Sequence, residues 1–120
     1  MSKILVVEDQ EDNRQILRDL LGSVGHEMIE AHDGVAAIAQ ASKHRPDLIL
    51  MDIQLPTMDG YEATRQIKAN PELAKIPIIV VTSYALSGDE DKARAAGCDA
   101  YVTKPYSPRQ LLAKMNEYLK

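Results

Sequence analysis

Apolar runs and amphipathic stretches follow one another along the chain in a repeated order. The apolar runs predict five strands, at residues 3–7, 27–31, 48–51, 78–81 and 100–103. The first, third and fourth runs are almost continuously apolar, which is typical of strands buried on both faces of a parallel sheet. The pattern therefore favours a sheet whose two faces are both covered by helices.

The segments between these strands have helical spacing and helix boundary signals. An apolar stripe on the first helix consists of Ile16, Leu17, Leu20, Leu21 and Val24. Asp59 and Ser107 are predicted caps of later helices, with Pro108 at a first helical position, and Gly97 is a predicted helix stop. Five such units without a linker predict one α/β domain over residues 1–120, a doubly wound five-stranded parallel sheet with five helices, followed by no output domain.

Composition narrows the functional class. The chain has 120 residues and a formal net charge of −4, which argues against direct DNA binding through a broad basic surface. No stretch reaches the roughly 20 apolar residues of a membrane span, so membrane insertion is not expected. Cys98 is the only cysteine and can form no internal disulfide, which suits a cytoplasmic protein.

Polar residues stand where four of the predicted strands end. Glu8 and Asp9 follow the first strand, Asp52 the third, Thr82 the fourth and Lys104 the fifth. Ligand sites of open α/β sheets lie beyond the carboxyl ends of the strands, so we expect these side chains to converge. Clustered carboxylates repel one another and need a cation. Oxygen ligands without His or Cys favour Mg²⁺.

This constellation predicts phosphoryl acceptance on an aspartate. A carboxylate can act as the nucleophile and form an acyl phosphate, and Asp52 is the best candidate because it ends the central, most apolar strand. The Thr82 hydroxyl and the Lys104 ammonium would then contact phosphoryl oxygens. Each residue alone has an ordinary explanation as a cap, a strand end or a surface lysine; their joint placement favours the functional interpretation.

The same segments resemble the receiver domain of bacterial two-component response regulators, which are CheY-like. The resemblance covers the whole chain and is carried by VVEDQEDNRQIL, LILMDIQLPTMDG, IIVVTSYA and GCDAYVTKPYS. It implies a flavodoxin-like strand order of 2-1-3-4-5. It also implies a phosphoprotein of a phosphorelay, a signalling domain and not an enzyme, that assists its own phosphorylation and dephosphorylation.

The resemblance assigns roles around the acceptor. Asp52 would accept a phosphoryl group from a sensor histidine kinase or a histidine phosphotransfer protein. Mg²⁺ would be bound by Asp9, Asp52 and the backbone carbonyl of Gln54, with Glu8 helping through water.

It also implies a switch. The Lys104–Pro105 bond would be cis, which turns the lysine into the site. On phosphorylation the Thr82 hydroxyl would move inward and the ring of Tyr101, the switch aromatic, would follow it. The surface formed by helix 4, strand 5 and helix 5 would then change its preference for a downstream protein target.

Several alternatives stay open on the sequence. Within the family, the sequence motifs are most similar to those of DivK-type single-domain regulators. The alternative is a receiver domain excised from a hybrid kinase or a larger response regulator. A flavodoxin-like cofactor binder would need a phosphate-cradling loop where this chain has Glu8 and Asp9. An aspartyl-phosphate phosphatase usually has a second Asp where Gln54 stands. A receiver-like binder that needs no phosphate would not require the complete set of acidic residues, Thr82 and Lys104.

Overall fold

Five strands and five helices alternate along the chain in the computed structural model, which describes residues 2–53, 55–82 and 89–119, without the side chains of 89 and 90. The strands are β1 (Lys3–Val7), β2 (Glu27–Ala31), β3 (Leu48–Asp52), β4 (Ile78–Thr82) and β5 (Ala100–Thr103). The helices are α1 (Glu11–Ser23), α2 (Gly34–His44), α3 (Gly60–Ala69), α4 (Asp89–Ala96) and α5 (Pro108–Asn116).

The strands form one parallel sheet in the order β2-β1-β3-β4-β5. The predicted fold class and strand order are therefore confirmed. The third and fourth strands each run one residue further than predicted, because Asp52 pairs with Val81 and Thr82 pairs with Thr103. Two polar residues expected just after the apolar runs are thus fixed within the ladder itself.

Side-chain alternation along the buried strands builds a core on each face of the sheet. Leu5, Ile49 and Val80 belong to the core that α2, α3 and α4 cover. Val6 and Leu50 belong to the core that α1 and α5 cover. Both layers are built from apolar side chains, so β1, β3 and β4 have no polar face and their polar residues are confined to the strand ends.

Helix ends match the predicted signals. The side chain of Asp59 accepts a hydrogen bond from the backbone of Glu62 at 2.9 Å, at the start of α3. Ser107 and Gln110 form a reciprocal capping box at the start of α5, with bonds of 3.0 and 2.9 Å. Gly97 follows α4 with a φ of 104°, the left-handed conformation that a helix-ending glycine adopts.

The apolar stripe predicted on α1 is wrong at its edges. Leu17 and Leu21 are buried, whereas Ile16 is 63% exposed and Val24 is 46% exposed. The helix packs against one face of the sheet. Residues spaced one helical turn apart, such as Leu17 and Leu21, are enough to form that contact. None of the helices in the described ranges has the length and apolar character that crossing a membrane requires.

Candidate functional site

Three carboxylates meet at the carboxyl ends of β1 and β3. Glu8 and Asp9 directly follow β1, and Asp52 is the last residue of β3. One carboxylate oxygen from each residue lies within 4.8 Å of the others. Glu8 and Asp52 are only 4% and 8% exposed, so water does little to screen their charges from each other. Oxygens at this spacing are a plausible set of ligands for a divalent cation.

Lys104 brings a positive charge to two of these carboxylates. Its Nζ lies 3.3 Å from Oε1 of Glu8 and 3.4 Å from Oδ2 of Asp52. Its backbone amide donates a 2.7 Å hydrogen bond to the carbonyl of Thr82, which fixes the chain after β5 against β4. The peptide bond between Lys104 and Pro105 is cis.

Burial and charge act in opposite directions on the Lys104 ammonium. Burial lowers its pKa, but the carboxylates of Asp52 and Glu8 together outweigh burial, so the pKa lies above its usual value. Lys104 is therefore charged at neutral pH. One ammonium facing three carboxylates leaves an excess of negative charge, which a bound cation would neutralise.

Thr82 ends β4, which lies between β3, ending at Asp52, and β5, directly followed by Lys104. The residue is fully buried. The carbonyl of its neighbour Val81 accepts a hydrogen bond from Ile53, the residue after Asp52, at 3.3 Å. The backbone thus places Thr82 at the same edge of the sheet as the acidic cluster and the lysine.

Tyr101 lies further from the strand ends. It pairs with Val80 in the middle of β5, is partly buried, and packs against the core that α2, α3 and α4 cover. It also lines a surface groove with Pro105, Gln110 and Lys114. The structure brings together Glu8, Asp9, Asp52, Thr82 and Lys104, places Tyr101 on the adjoining surface, and leaves Gln54 outside the described residues.

The chain after Asp52 returns very close to the end of β3. The amide of Gly60 donates a 3.0 Å hydrogen bond to the carbonyl of Ile53. A Cβ on Gly60 would overlap the carbonyl oxygen of Asp52, so only glycine permits this approach. The start of α3 is thereby packed directly against the backbone at the end of β3.

Two further residues at the site were not singled out by sequence reasoning. Tyr106 lines a small, partly open cavity together with Glu8, Asp52 and Lys104. Burial raises its pKa, while the nearby Lys104 ammonium partly opposes this. Arg14, in the first turns of α1, donates a 2.6 Å hydrogen bond to the backbone carbonyl of Glu8. Tyr106 stands two residues after Lys104, which is a weak signal, and the spacing of Arg14 from Glu8 corresponds to no standard motif.

Comparison with known proteins agrees with this geometry. The model of the response regulator receiver domain family matches residues 4–116. The polar-differentiation response regulator DivK of Brucella anthropi is 45% identical over 116 residues, which cover 97% of this chain and 94% of that protein. DivK of Brucella ovis is 44% identical over the same length.

Solved structures with the same fold include two receiver proteins. The receiver domain of the sensor histidine kinase PA1611 from Pseudomonas aeruginosa has a magnesium ion coordinated in its active site cleft. It is 37% identical, with a TM-score of 0.91, and the match covers 98% of this chain and 96% of that one. The chemotaxis protein CheY4 of Vibrio cholerae is 30% identical, with a TM-score of 0.93 and 99% coverage of both chains. The acidic cluster, the lysine beside it and these relatives lead to one conclusion: the chain belongs to the response regulator receiver domain family.

Proposed function

We propose that this receiver accepts a phosphoryl group on Asp52 from a phosphohistidine of a sensor histidine kinase or a histidine phosphotransfer protein. One observation carries the proposal: Asp52 is a buried carboxylate at the end of the central strand, with an ammonium 3.4 Å away and two further carboxylates within 4.8 Å. Such a residue has a nucleophilic oxygen, a counter-charge for a phosphoryl oxygen and ligands for a cation in one place.

The transfer exchanges one bond to phosphorus for another. An Asp52 carboxylate oxygen forms a bond to phosphorus as the bond from phosphorus to the donor imidazole breaks, and the imidazole nitrogen keeps the electron pair. The Lys104 ammonium pairs with one phosphoryl oxygen and the Thr82 hydroxyl donates to another. Lys104 suits this role because its raised pKa keeps it charged.

The cation of this proposal is Mg²⁺. Asp9 and Asp52 would bind it directly, Glu8 through water, and the carbonyl of Gln54, which lies outside the described residues, would complete the protein ligands. The donor set supports the choice, because it is made of oxygens without nitrogen or sulfur. When bound, the ion neutralises the charge of the incoming phosphoryl group.

The domain is a signalling phosphoacceptor in this proposal, and its own residues assist both steps of its chemistry. Lys104 and Thr82 assist phosphorylation by holding phosphoryl oxygens, and the same site supports later hydrolysis of the acyl phosphate. A cytoplasmic location is part of the proposal, since Cys98 is the single cysteine and the fold requires no oxidising compartment.

A downstream protein target would dock on the surface of α4, β5 and α5. The groove that Tyr101, Pro105 and Lys114 line supports this location, because β5, the segment directly after Lys104 and α5 all contribute to it. Phosphorylation should therefore shift the backbone amide resonances of Tyr101 and Lys114 more than those of β2, at the far edge of the sheet. Equal shifts at both edges in nuclear magnetic resonance spectra would contradict this docking face.

Labelling with a small acyl phosphate, read by intact mass, tests the acceptor. We expect one added phosphoryl group in the wild type with Mg²⁺, none after chelation, and none in Asp52→Asn. Asp47→Asn is the matched control. Asp47 lies at the opposite end of the same strand, where its carboxylate accepts a 2.8 Å hydrogen bond from the backbone of Lys3.

The control separates loss of the acceptor from a general effect of replacing an aspartate next to β3. Asp47→Asn should label like the wild type. Equal labelling of Asp52→Asn and the wild type would remove Asp52 from the acceptor role.

A further inference from the structure

We propose that Arg14 is a positioning residue for the metal-binding edge of the site, an inference that rests on the proposed function. Its guanidinium holds the backbone carbonyl of Glu8 and thereby fixes the peptide that leads into Asp9. The consequence is that Mg²⁺ affinity depends on a side chain that is not itself a metal ligand.

All three guanidinium nitrogens of Arg14 have partners. Nη1 donates to the carbonyl of Glu8 at 2.6 Å, Nη2 lies 2.6 Å from Glu11, and Nε lies 3.2 Å from Glu30. The side chain is only 16% exposed. A planar guanidinium with three fixed partners has little freedom to turn, so it constrains the carbonyl that it binds.

Arg14 is anchored to β2 through its ion pair with Glu30. Glu30 also binds Arg18, at 2.6 Å, and its backbone carbonyl accepts a 3.0 Å hydrogen bond from Gln40 of α2. The amide of Glu8 independently donates to the carbonyl of Ala31 at 3.0 Å. Both backbone polar groups of Glu8 are thus tied to β2, one directly and the other through Arg14.

This restraint opposes a specific relaxation. The carboxylates of Glu8, Asp9 and Asp52 repel one another, and the residues after β1 could relieve the repulsion by turning outward. Turning this segment would break the bond between Arg14 and the Glu8 carbonyl. The bond therefore keeps the ligands in place before the cation arrives, and preorganisation of this kind raises affinity.

Charge and positioning predict opposite effects when Arg14 is removed. By Coulomb's law alone, losing a cation near the site makes Mg²⁺ binding tighter. Loss of the restraint on Glu8 makes it weaker. The sign of the change in affinity therefore separates a positioning role from a general electrostatic one.

The test is the Mg²⁺ affinity of Arg14→Met and Arg18→Met, measured by isothermal titration calorimetry at fixed ionic strength. Arg18 is the matched control because it lies one turn further along α1, carries the same charge and pairs with the same Glu30. Within the described residues it binds Gln15 and Glu30 and makes no bond to the Glu8 carbonyl. Arg14→Met should weaken Mg²⁺ binding by about 10-fold to 100-fold, as loss of a group supporting a metal ligand typically does. Arg18→Met should leave the affinity unchanged or slightly higher.

Arg14→Lys is the conservative variant. It keeps the charge but loses the fork that holds the Glu8 carbonyl and Glu30 together, so no loss of repulsion offsets the lost restraint and its Mg²⁺ affinity should fall clearly below that of the wild type. Urea unfolding in a chelator checks that each variant folds. If Arg14→Met does not fold, the comparison of Arg14→Lys with Arg18→Lys decides, because both variants keep the charge, and a weaker Mg²⁺ affinity in Arg14→Lys supports the proposal.

The outcomes distinguish this inference from the function on which it rests. If the wild type binds Mg²⁺ and Arg14→Met binds it equally well or more tightly, the positioning role is overturned and the proposed function stands. The same follows if Arg18→Met weakens binding as much as Arg14→Met. A wild type that binds no Mg²⁺ overturns the metal site of the proposed function and this inference together.

Discussion

Asp52→Asn should stabilise the protein when no divalent cation is present. The substitution keeps the size and the hydrogen-bonding oxygen of the side chain and removes one of three clustered negative charges. Because Asp52 is 8% exposed, its charge is also costly to bury, and the neutral amide avoids that cost.

The magnitude follows from the distances. Two like charges 4.8 Å apart repel by about 3.5 kcal/mol at an effective dielectric constant of ~20, and Asp52 has two such neighbours, Glu8 and Asp9. On the same scale the attraction to the Lys104 ammonium at 3.4 Å, which the substitution also removes, is about 5 kcal/mol. Solvent around the partly exposed Asp9 reduces the repulsion further. Together these effects should make the free energy of unfolding of Asp52→Asn about 1 to 2 kcal/mol higher than that of the wild type.

Urea unfolding followed by circular dichroism measures this difference in the free energy of unfolding. In a chelator, the midpoint for Asp52→Asn should lie above that of the wild type with the same slope. Added Mg²⁺ should reverse the order: the wild type gains about 2.7 kcal/mol when the free ion reaches 100 times its dissociation constant, and the variant gains little. The two stability curves should therefore cross as Mg²⁺ is raised.

Asp91→Asn is the control for replacing a carboxylate by an amide. Asp91 is an exposed residue of α4, and the change there should stay within about 0.5 kcal/mol. A free energy of unfolding for Asp52→Asn that lies about 1 kcal/mol or more below that of the wild type in the chelator would contradict this expectation. Attraction to Lys104 would then exceed the repulsion within the cluster, and the site would need no cation for its stability.

Other substitutions test the surroundings of the site. Gly60→Ala should destabilise by about 1 to 3 kcal/mol, since its Cβ would overlap the Asp52 carbonyl; Gly22→Ala, with open space on α1, should stabilise by up to about 1 kcal/mol in the same urea assay. The pKa of Lys104 is raised above its usual 10.5, so the stability that its charge contributes is fully present below that pH and is lost as pH rises through the folded pKa. The stability difference between wild type and Lys104→Met should accordingly be constant from neutral pH to the usual value and shrink above it. Ser107→Ala should cost about 1 kcal/mol in thermal unfolding, because the cap of α5 is lost.

The sheet was predictable because its strands are buried on both faces. An apolar run without polar interruption, as at 48–51 and 78–81, has few structural alternatives in a short α/β chain. The helix stripe of α1 was less predictable, since Ile16 and Val24 fit the helical period and yet face solvent. Period alone shows which residues share a side of a helix, and it does not show how wide a contact the sheet offers.

The acidic cluster was predictable for a topological reason, and its supporting residues were not. Parallel strands end at one edge, so Asp52 and Lys104 had to lie near each other once both were placed at strand ends. Arg14 reaches Glu8 across a loop, and its partner Glu30 lies on another strand. Contacts that join a helix, a loop and a neighbouring strand depend on three-dimensional packing that no local spacing encodes.

If Asp52 accepts a phosphoryl group, as proposed, the rigidity of its strand passes the effect to its neighbours. Asp52 is held in the ladder of β3, so added charge there cannot be relieved by moving the strand. Lys104 pairs with Asp52 from the segment after β5, and its backbone amide donates a hydrogen bond to the carbonyl of Thr82. A phosphoryl group that drew the Lys104 ammonium away from Glu8 would therefore act at the end of β5, three residues from Tyr101, which lines the groove along α5. In the proposed function, chemistry at Asp52 would be coupled to recognition at the sheet edge because Lys104 directly follows β5, the strand that carries Tyr101.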